Sequence, residues 1–159
     1  MTATQPTILL VEDNDAKRYV VSSLLRQEGF AVQEATTGQE ALRLAAEQPA
    51  LILLDVKLPD MSGIEVCRRL KANPLTAAVS VLQFSAGYAQ PEDKVMGLGS
   101  GAEGYLAGDA DPKVLVALIK AKLRAQEALR ESETYYRLLF EQHPTQYGSS
   151  MPRPYRFWQ

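Results

Sequence analysis

The chain has little of what disulfide-bonded, zinc-binding and membrane proteins depend on. Its 159 residues include one cysteine and one histidine, which excludes an internal disulfide and leaves too few soft ligands for a structural zinc site. No apolar run approaches the length of a membrane span, and residues 1–6 lack the charged and apolar regions of a signal peptide. We therefore expect a cytoplasmic protein that does not enter a membrane.

An excess of charge of one sign is also missing. The 17 basic residues stand against 19 acids, giving a net charge of -2. Such a balance provides no basic field for a phosphate backbone, so we expect no direct binding of nucleic acid. With 46% hydrophobic residues, the length suits one well-buried domain with a short remainder.

Short apolar runs alternate with helical patterns along the chain, as in repeated βα units that build a parallel sheet. The runs predict strands at 7–11, 30–35, 51–54, 79–84 and 103–107. The patterns between them predict helices at 15–28, 37–48, 62–73 and 90–99, and a last helix from Pro112. In the first helix the expected inward residues are Ala16, Tyr19, Val20, Ser23 and Leu24.

Carboxylates follow two of the predicted strands directly. The first strand runs into Glu12 and Asp13, and the third ends at Asp55. In an open parallel sheet, ligands bind in the crevice at the carboxyl ends of the strands, so the three acids are expected to converge there. Clustered carboxylates repel one another and favour a hard divalent cation. A single acid in this position could equally be a helix cap or a turn residue.

The last predicted helix continues beyond the point where one domain should end. From Pro112 to about Phe140 there is neither glycine nor proline. An apolar stripe with heptad spacing predicts a homodimer through paired helices, and it consists of Leu115, Leu118, Lys122, Ala125, Leu129, Ser132, Tyr136 and Leu139. The alternative is a solvated helix held by ion pairs. We expect residues 144–159 to form a disordered tail.

Several separated motifs together resemble the receiver domain of two-component response regulators over about residues 6–125. They include Glu12-Asp13, Asp55 with Pro59 and Gly63, Ser85-Ala86 after the fourth strand, and Gly101-Ala102 leading to Tyr105-Leu106. The resemblance implies a flavodoxin-like (βα)5 fold, a doubly wound parallel sheet with strand order 2-1-3-4-5, here with an extended C-terminal helix. It also implies a signalling module rather than a metabolic enzyme.

The same resemblance implies roles for individual residues. Asp55 would accept a phosphoryl group from a histidine kinase or a phosphotransfer protein. Asp13, Asp55 and the backbone carbonyl of Lys57 would hold Mg²⁺, with Glu12 acting through water. Ser85 would contact a phosphoryl oxygen, and Tyr105 would be the aromatic that changes orientation on activation.

The sequence departs from the family pattern after the fifth strand. Where a lysine followed by proline is expected, the chain has Gly108 and Asp109, so the phosphate-binding cation is missing. Two interpretations follow: phosphorylation with Mg²⁺ as the main counter-charge, or a pseudo-receiver that binds partners and dimerises without phosphorylation.

A second, shorter resemblance lies near the end of the chain. Residues 130–141 resemble the signalling helix that leads into a PAS sensory domain, although too few residues follow to build one. The expected organisation is thus a receiver domain at 6–125, a helical extension at 126–143 and a tail at 144–159.

Overall fold

The computed structural model describes residues 5–85, 99–107 and 111–142, and a parallel sheet of five strands forms the centre of the fold. The strands are β1 Thr7–Val11, β2 Ala31–Ala35, β3 Leu51–Asp55, β4 Ser80–Ser85 and β5 Gly104–Ala107. Every neighbouring pair is parallel, in the order β2-β1-β3-β4-β5. The predicted flavodoxin-like sheet is confirmed.

Four helices connect or follow the strands in the described residues. They are α1 Asp15–Gln27, α2 Gly38–Ala45, α3 Gly63–Ala72 and α4 Pro112–Gln142. The helix predicted at 90–99 lies outside the described residues except for its last position. With 31 residues, α4 confirms the extended C-terminal helix. None of the described helices combines the length and the apolar character needed to cross a bilayer.

The chain divides into two units, Met1–Lys120 and Ala121–Gln159. The expected limits of the receiver domain at 6–125 and of the extension at 126–143 stay predictions. The tail at 144–159 lies outside the described residues.

Side chains cap the first three helices as their sequences favour. Asn14, Thr37 and Ser62 each precede a helix, and each side chain accepts a hydrogen bond from the backbone N–H three residues later. Such caps satisfy amides that have no partner inside the helix. After α1 the chain reverses at Gly29, whose φ of 92° is a conformation that glycine adopts without strain.

One face of the sheet packs against α2 and α3. Its core combines Leu9, Val11, Ile52, Leu54 and Val81 of the strands with Ala41, Ala45, Val66, Cys67 and Leu70 of the two helices. Because successive strand residues point to opposite faces, Leu10, Leu53 and Leu82 face the other side. There α1 covers the sheet with its own buried residues, Val21 and Leu25.

The predicted buried face of α1 was wrong, although the helix itself is confirmed. Tyr19 is 73% exposed and Val20 is 47% exposed, while Val21, Ser22 and Leu25 are buried. The two sets have the same three-and-four spacing, so periodicity alone does not distinguish them. Packing against the sheet selects the second set, and a tyrosine ring tolerates solvent because it carries a hydroxyl.

Candidate functional site

The three predicted acids meet at the carboxyl ends of β1 and β3. One carboxylate oxygen from each of Glu12, Asp13 and Asp55 lies within 4.8 Å of the others. Val11 is in register with Leu54, so Glu12 and Asp55 occupy neighbouring positions on adjacent strands. Glu12 is 1% exposed and Asp55 is 3% exposed, whereas Asp13 is exposed. The predicted convergence of these residues is confirmed.

Glu12 is held in an environment that disfavours its charge. Burial first, and then the neighbouring carboxyl group of Asp55, raise the pKa of Glu12 from 4.5 to about 8. The positive charge of Lys17 and the backbone N–H of Asn14, 3.3 Å from Oε1, act in the opposite direction. The other oxygen, Oε2, is buried without a hydrogen-bond partner among the described residues.

The loop after β3 is fixed closely against Asp55. The backbone N–H of Lys57 donates to Oδ1 of Asp55 over 3.2 Å, and Lys57 forms an isolated bridge with Ser62. The backbone of Gly63 approaches the carbonyl of Asp55 so closely that a Cβ on residue 63 would lie 2.1 Å from that oxygen. Only glycine fits there, which explains the Gly63 of the sequence motif.

Asp60, in the same loop, binds the first amides of α2. Its Oδ1 accepts from the N–H of Gly38 over 2.7 Å, and its Oδ2 accepts from Gln39 over 2.9 Å. These two hydrogen bonds lower the pKa of Asp60. Asp60 therefore connects the loop beside the acids to the start of a neighbouring helix, a role that no pattern in the sequence indicated.

The remaining predicted site residues are placed less completely. Ser85 is the last residue of β4, the strand next to β3, but its side chain is not among the described parts of the chain. Tyr105 lies in the edge strand β5 opposite Gln83, and its hydroxyl is buried without a partner among the described residues. Gly108 and Asp109 lie outside the described residues.

Two buried polar groups near the acids were not singled out from the sequence. The ammonium of Lys17 lies 4.5 Å from the ring centre of Phe84, and Phe84 is in register with Asp55. The amide of Gln83 donates to the carbonyl of Gly63 over 3.2 Å and so supports the close turn after β3. Lys17 shares a helix face with the buried Val21, so a sequence analysis that predicted this face of α1 as buried would have identified Lys17.

The donor set suits a hard divalent cation. Carboxylate oxygens are the ligands that Mg²⁺ and Ca²⁺ prefer, and three of them already lie within one coordination sphere of each other. A cation would give the unpartnered Oε2 of Glu12 a partner, and would offset the burial and the neighbouring charge that raise the pKa of this residue. The arrangement could thus bind a metal and present a carboxylate as a nucleophile.

A family model supplies the identity of this arrangement. Residues 8–120 match the response regulator receiver domain. The chain is 36% identical over 135 residues to the DNA-binding dual master transcriptional regulator RpaA of Synechocystis sp., covering 84% of this chain and 56% of the relative. It is 41% identical over 128 residues to the transcriptional regulatory protein AfsQ1 of Streptomyces coelicolor, covering 80% and 54%. The chain thus spans little more than half of these relatives.

Solved structures agree with the match. A CheY-like response regulator receiver domain protein from Methanospirillum hungatei has a TM-score of 0.72 and 32% identity, covering 79% of this chain and 98% of that one. The receiver domain of sensor histidine kinase PA1611 from Pseudomonas aeruginosa, solved with a magnesium ion in its active site cleft, has a TM-score of 0.69 and 29% identity, covering 76% and 98%. With fold, acids and family model in agreement, the chain belongs to the response regulator receiver domain family.

Proposed function

We propose that this chain is a phosphoacceptor module in which Asp55 receives a phosphoryl group from a histidine kinase or a phosphotransfer protein. The observation that carries the proposal is the meeting of Asp55 with Glu12 and Asp13 at adjoining strand ends. Asp55 is the member of this cluster that the rigid loop after β3 orients, through the N–H of Lys57.

The reaction is a displacement at phosphorus. A carboxylate oxygen of Asp55 attacks the phosphorus of a phosphohistidine, a P–O bond forms, and the P–N bond breaks with its electron pair passing to the imidazole nitrogen. Catalysis in such a transfer consists mainly of positioning and charge compensation.

We further propose that Asp13, Asp55 and the backbone carbonyl of Lys57 hold Mg²⁺, while Glu12 acts through water. Bound there, Mg²⁺ would neutralise phosphoryl oxygens beside the acids. Ser85 would hydrogen-bond a phosphoryl oxygen. Tyr105 would change its side-chain orientation on phosphorylation. Its buried hydroxyl has no hydrogen-bond partner among the described residues, so no such bond opposes the change.

For the output we propose a homodimer through α4. Leu129 and Tyr136, on the predicted heptad stripe, are 40% and 37% exposed in the single chain, so each leaves apolar surface for a partner helix. DNA binding, which is part of the name of RpaA, belongs to that protein. For this chain, whose acids outnumber its bases, we propose protein partners and no direct contact with nucleic acid.

Labelling with acetyl phosphate and Mg²⁺ tests the proposal. Asp55→Asn should abolish the acid-stable, base-labile phosphorylation and leave the fold intact, because the change is nearly isosteric and relieves repulsion. Asp15→Asn is the matched control, since Asp15 is an exposed acid that pairs with Arg18 on the same helix. Equal labelling of Asp55→Asn and the unchanged chain would refute the assignment of Asp55.

The pseudo-receiver remains a second candidate because Gly108 stands where the family pattern has a lysine. It predicts partner binding and dimerisation that do not depend on phosphorylation. Titration with beryllofluoride and Mg²⁺ separates the two, since beryllofluoride mimics a phosphoryl group on the carboxylate. Saturable binding that disappears in Asp55→Asn supports the phosphoacceptor, and no binding supports the pseudo-receiver.

A further inference from the structure

The ammonium of Lys17 is buried against the sheet near the acid cluster. Lys17 lies in the first turn of α1, one turn before the buried Val21. Positions four apart share a helix face, so its side chain points toward the sheet. Its Nζ is buried and has no hydrogen-bond acceptor among the described residues. Burying an ammonium without an acceptor costs free energy unless a nearby charge compensates it.

The side chain leads to the edge of the sheet where the acids lie. Nζ is 4.5 Å from the ring centre of Phe84, a stacking distance for a cation over an aromatic face. Asp55 is in register with Phe84, and Glu12 lies beside Asp55 on the adjacent strand. Glu12, Asp55 and Phe84 therefore occupy one row across β1, β3 and β4, and the Lys17 ammonium lies over the Phe84 end of that row.

Two other cationic side chains near the acids are either paired with acceptors or exposed to solvent. Arg18 is bound to Asp15 at 2.6 Å, to Glu34 at 3.4 Å and to the carbonyl of Glu12 at 3.0 Å. The side chain of Lys57 is exposed. Among the described residues close to the acids, Lys17 is thus the cation whose ammonium is both buried and uncommitted, and it already counteracts the raised pKa of Glu12.

We propose that Lys17 binds the phosphoryl group on Asp55, its ammonium leaving the Phe84 ring to pair with a phosphoryl oxygen. This inference rests on the proposed phosphorylation of Asp55. A phosphoryl group adds negative charge to a row that already contains two carboxylates, and a lysine in a partly dry site can form a charge-assisted hydrogen bond to it. Phe84 holds the ammonium until the group arrives.

Lys17 should affect a metal ion and a phosphoryl group in opposite directions. A positive charge beside the acids repels Mg²⁺ and attracts beryllofluoride. Lys17→Met should therefore weaken beryllofluoride binding at saturating Mg²⁺ by roughly ten-fold, and tighten Mg²⁺ binding alone by about three-fold. A role confined to packing would not move the two affinities in opposite directions.

The variant should fold, because Met keeps the unbranched stem over Phe84 and replaces an unpaired ammonium by a thioether. Lys17→Arg keeps the charge and should retain most of the beryllofluoride affinity. Lys113→Met, at an exposed lysine of α4, is the matched control and should change neither affinity.

Calorimetric or fluorescence titrations of the full chain measure both ligands. Beryllofluoride affinity in Lys17→Met equal to that of the unchanged chain would overturn the role of Lys17, and so would a parallel loss of both affinities. If the unchanged chain itself binds no beryllofluoride with Mg²⁺ present, the proposed phosphorylation fails, and the role of Lys17 fails with it.

Discussion

Glu12 carries a proton at pH values where an exposed glutamate has already lost it. Its raised pKa, about 8, has two sources that act together: burial and the neighbouring carboxyl group of Asp55. Binding of a cation would favour the ionised form of Glu12.

We expect the metal-free chain to lose stability as pH rises from about 4.5 to about 8. Within that window the unfolded chain gives up the proton of Glu12 and the folded chain keeps it, so the free energy of unfolding falls and the contribution is fully lost above the folded pKa. Glu12→Gln should remove this slope and be more stable by about 1–3 kcal/mol at pH 8.

Urea unfolding in a chelator at several pH values measures the effect. Glu131→Gln, a change at an exposed position of α4, should keep the slope of the unchanged chain. Parallel pH profiles for Glu12→Gln and the unchanged chain would contradict the raised pKa.

Gly108 lacks the side chain that would place a cation after β5. Gly108→Lys with Asp109→Pro places the family's lysine and proline in this sequence, and should raise beryllofluoride affinity or the extent of phosphorylation by roughly ten-fold. The gain should be larger in a Lys17→Met background, because two lysines that serve the same oxygens are not additive. A folded double variant that gains neither would favour the pseudo-receiver.

The loop from Val56 to Ser62 connects Asp55 to the start of α2 by hydrogen bonds. On one side the N–H of Lys57 orients Asp55, and on the other Asp60 accepts from the first two amides of α2. The loop and α2 thus stabilise each other. A substitution at Asp60 is therefore expected to shift the loop, and with it the N–H of Lys57 that orients Asp55.

Asp60→Ala should lower the melting temperature by roughly 2–6 °C, since two amides at the start of α2 lose their acceptor. The pKa of Asp60 is lowered in the fold, so its contribution is present above the ordinary pKa of aspartate and is lost as pH falls through the folded value. The difference between Asp60→Ala and the unchanged chain should therefore shrink in acid. Thermal unfolding at pH 7 and pH 3 checks both statements, and a constant difference would disagree with them.

The sequence predicted where helices and strands lie better than it predicted which side of a helix is buried. Strand β1 was predicted to the residue, because a short run of β-branched and leucine residues that ends in two acids is typical of a buried parallel strand. Helix α2 ended at Ala45 rather than near residue 48, since Gln48 adopts a φ of 61° before Pro49. The acids were predicted because parallel strands place their carboxyl ends along one edge.

The buried face of α1, and with it the position of Lys17, depends on the rotation of the helix about its axis, which the sequence does not determine. The stripe that contains Lys17 and Val21 and the stripe that contains Tyr19 and Val20 have equal periodicity, and the second is the more apolar of the two. Hydrophobicity therefore favoured the wrong face, and Lys17 was not among the expected inward residues. The hydrogen bonds of Asp60 and Gln83 also escaped prediction, because both join segments about 20 residues apart.

Helix α4 continues well beyond its buried first turns. Its 31 residues correspond to about 46 Å of helix, far more than one domain face requires. Residues Leu115, Val116 and Ile119 at its start are buried, whereas Leu129 and Tyr136 further along are partly exposed. The second part is thus suited to contact another copy of the chain.

We expect the full chain to be a dimer at micromolar concentration and a chain ending at Arg124 to be a monomer. Leu129→Lys places a charge on the stripe and should weaken the dimer by roughly ten-fold or more, whereas Glu131→Lys, off the stripe, should not. Light scattering coupled to size exclusion measures the mass. A monomeric full chain at high micromolar concentration would exclude the paired helices.

The strand order also bears on how the chain is made. Synthesis delivers β1 first, and each later strand pairs with one that has already left the ribosome: β2 and β3 with β1, β4 with β3, and β5 with β4. Each strand after β1 thus has one of its partners already translated when it is made. The strands β1 and β3, whose ends carry Glu12 and Asp55, are therefore both translated before β4 and β5.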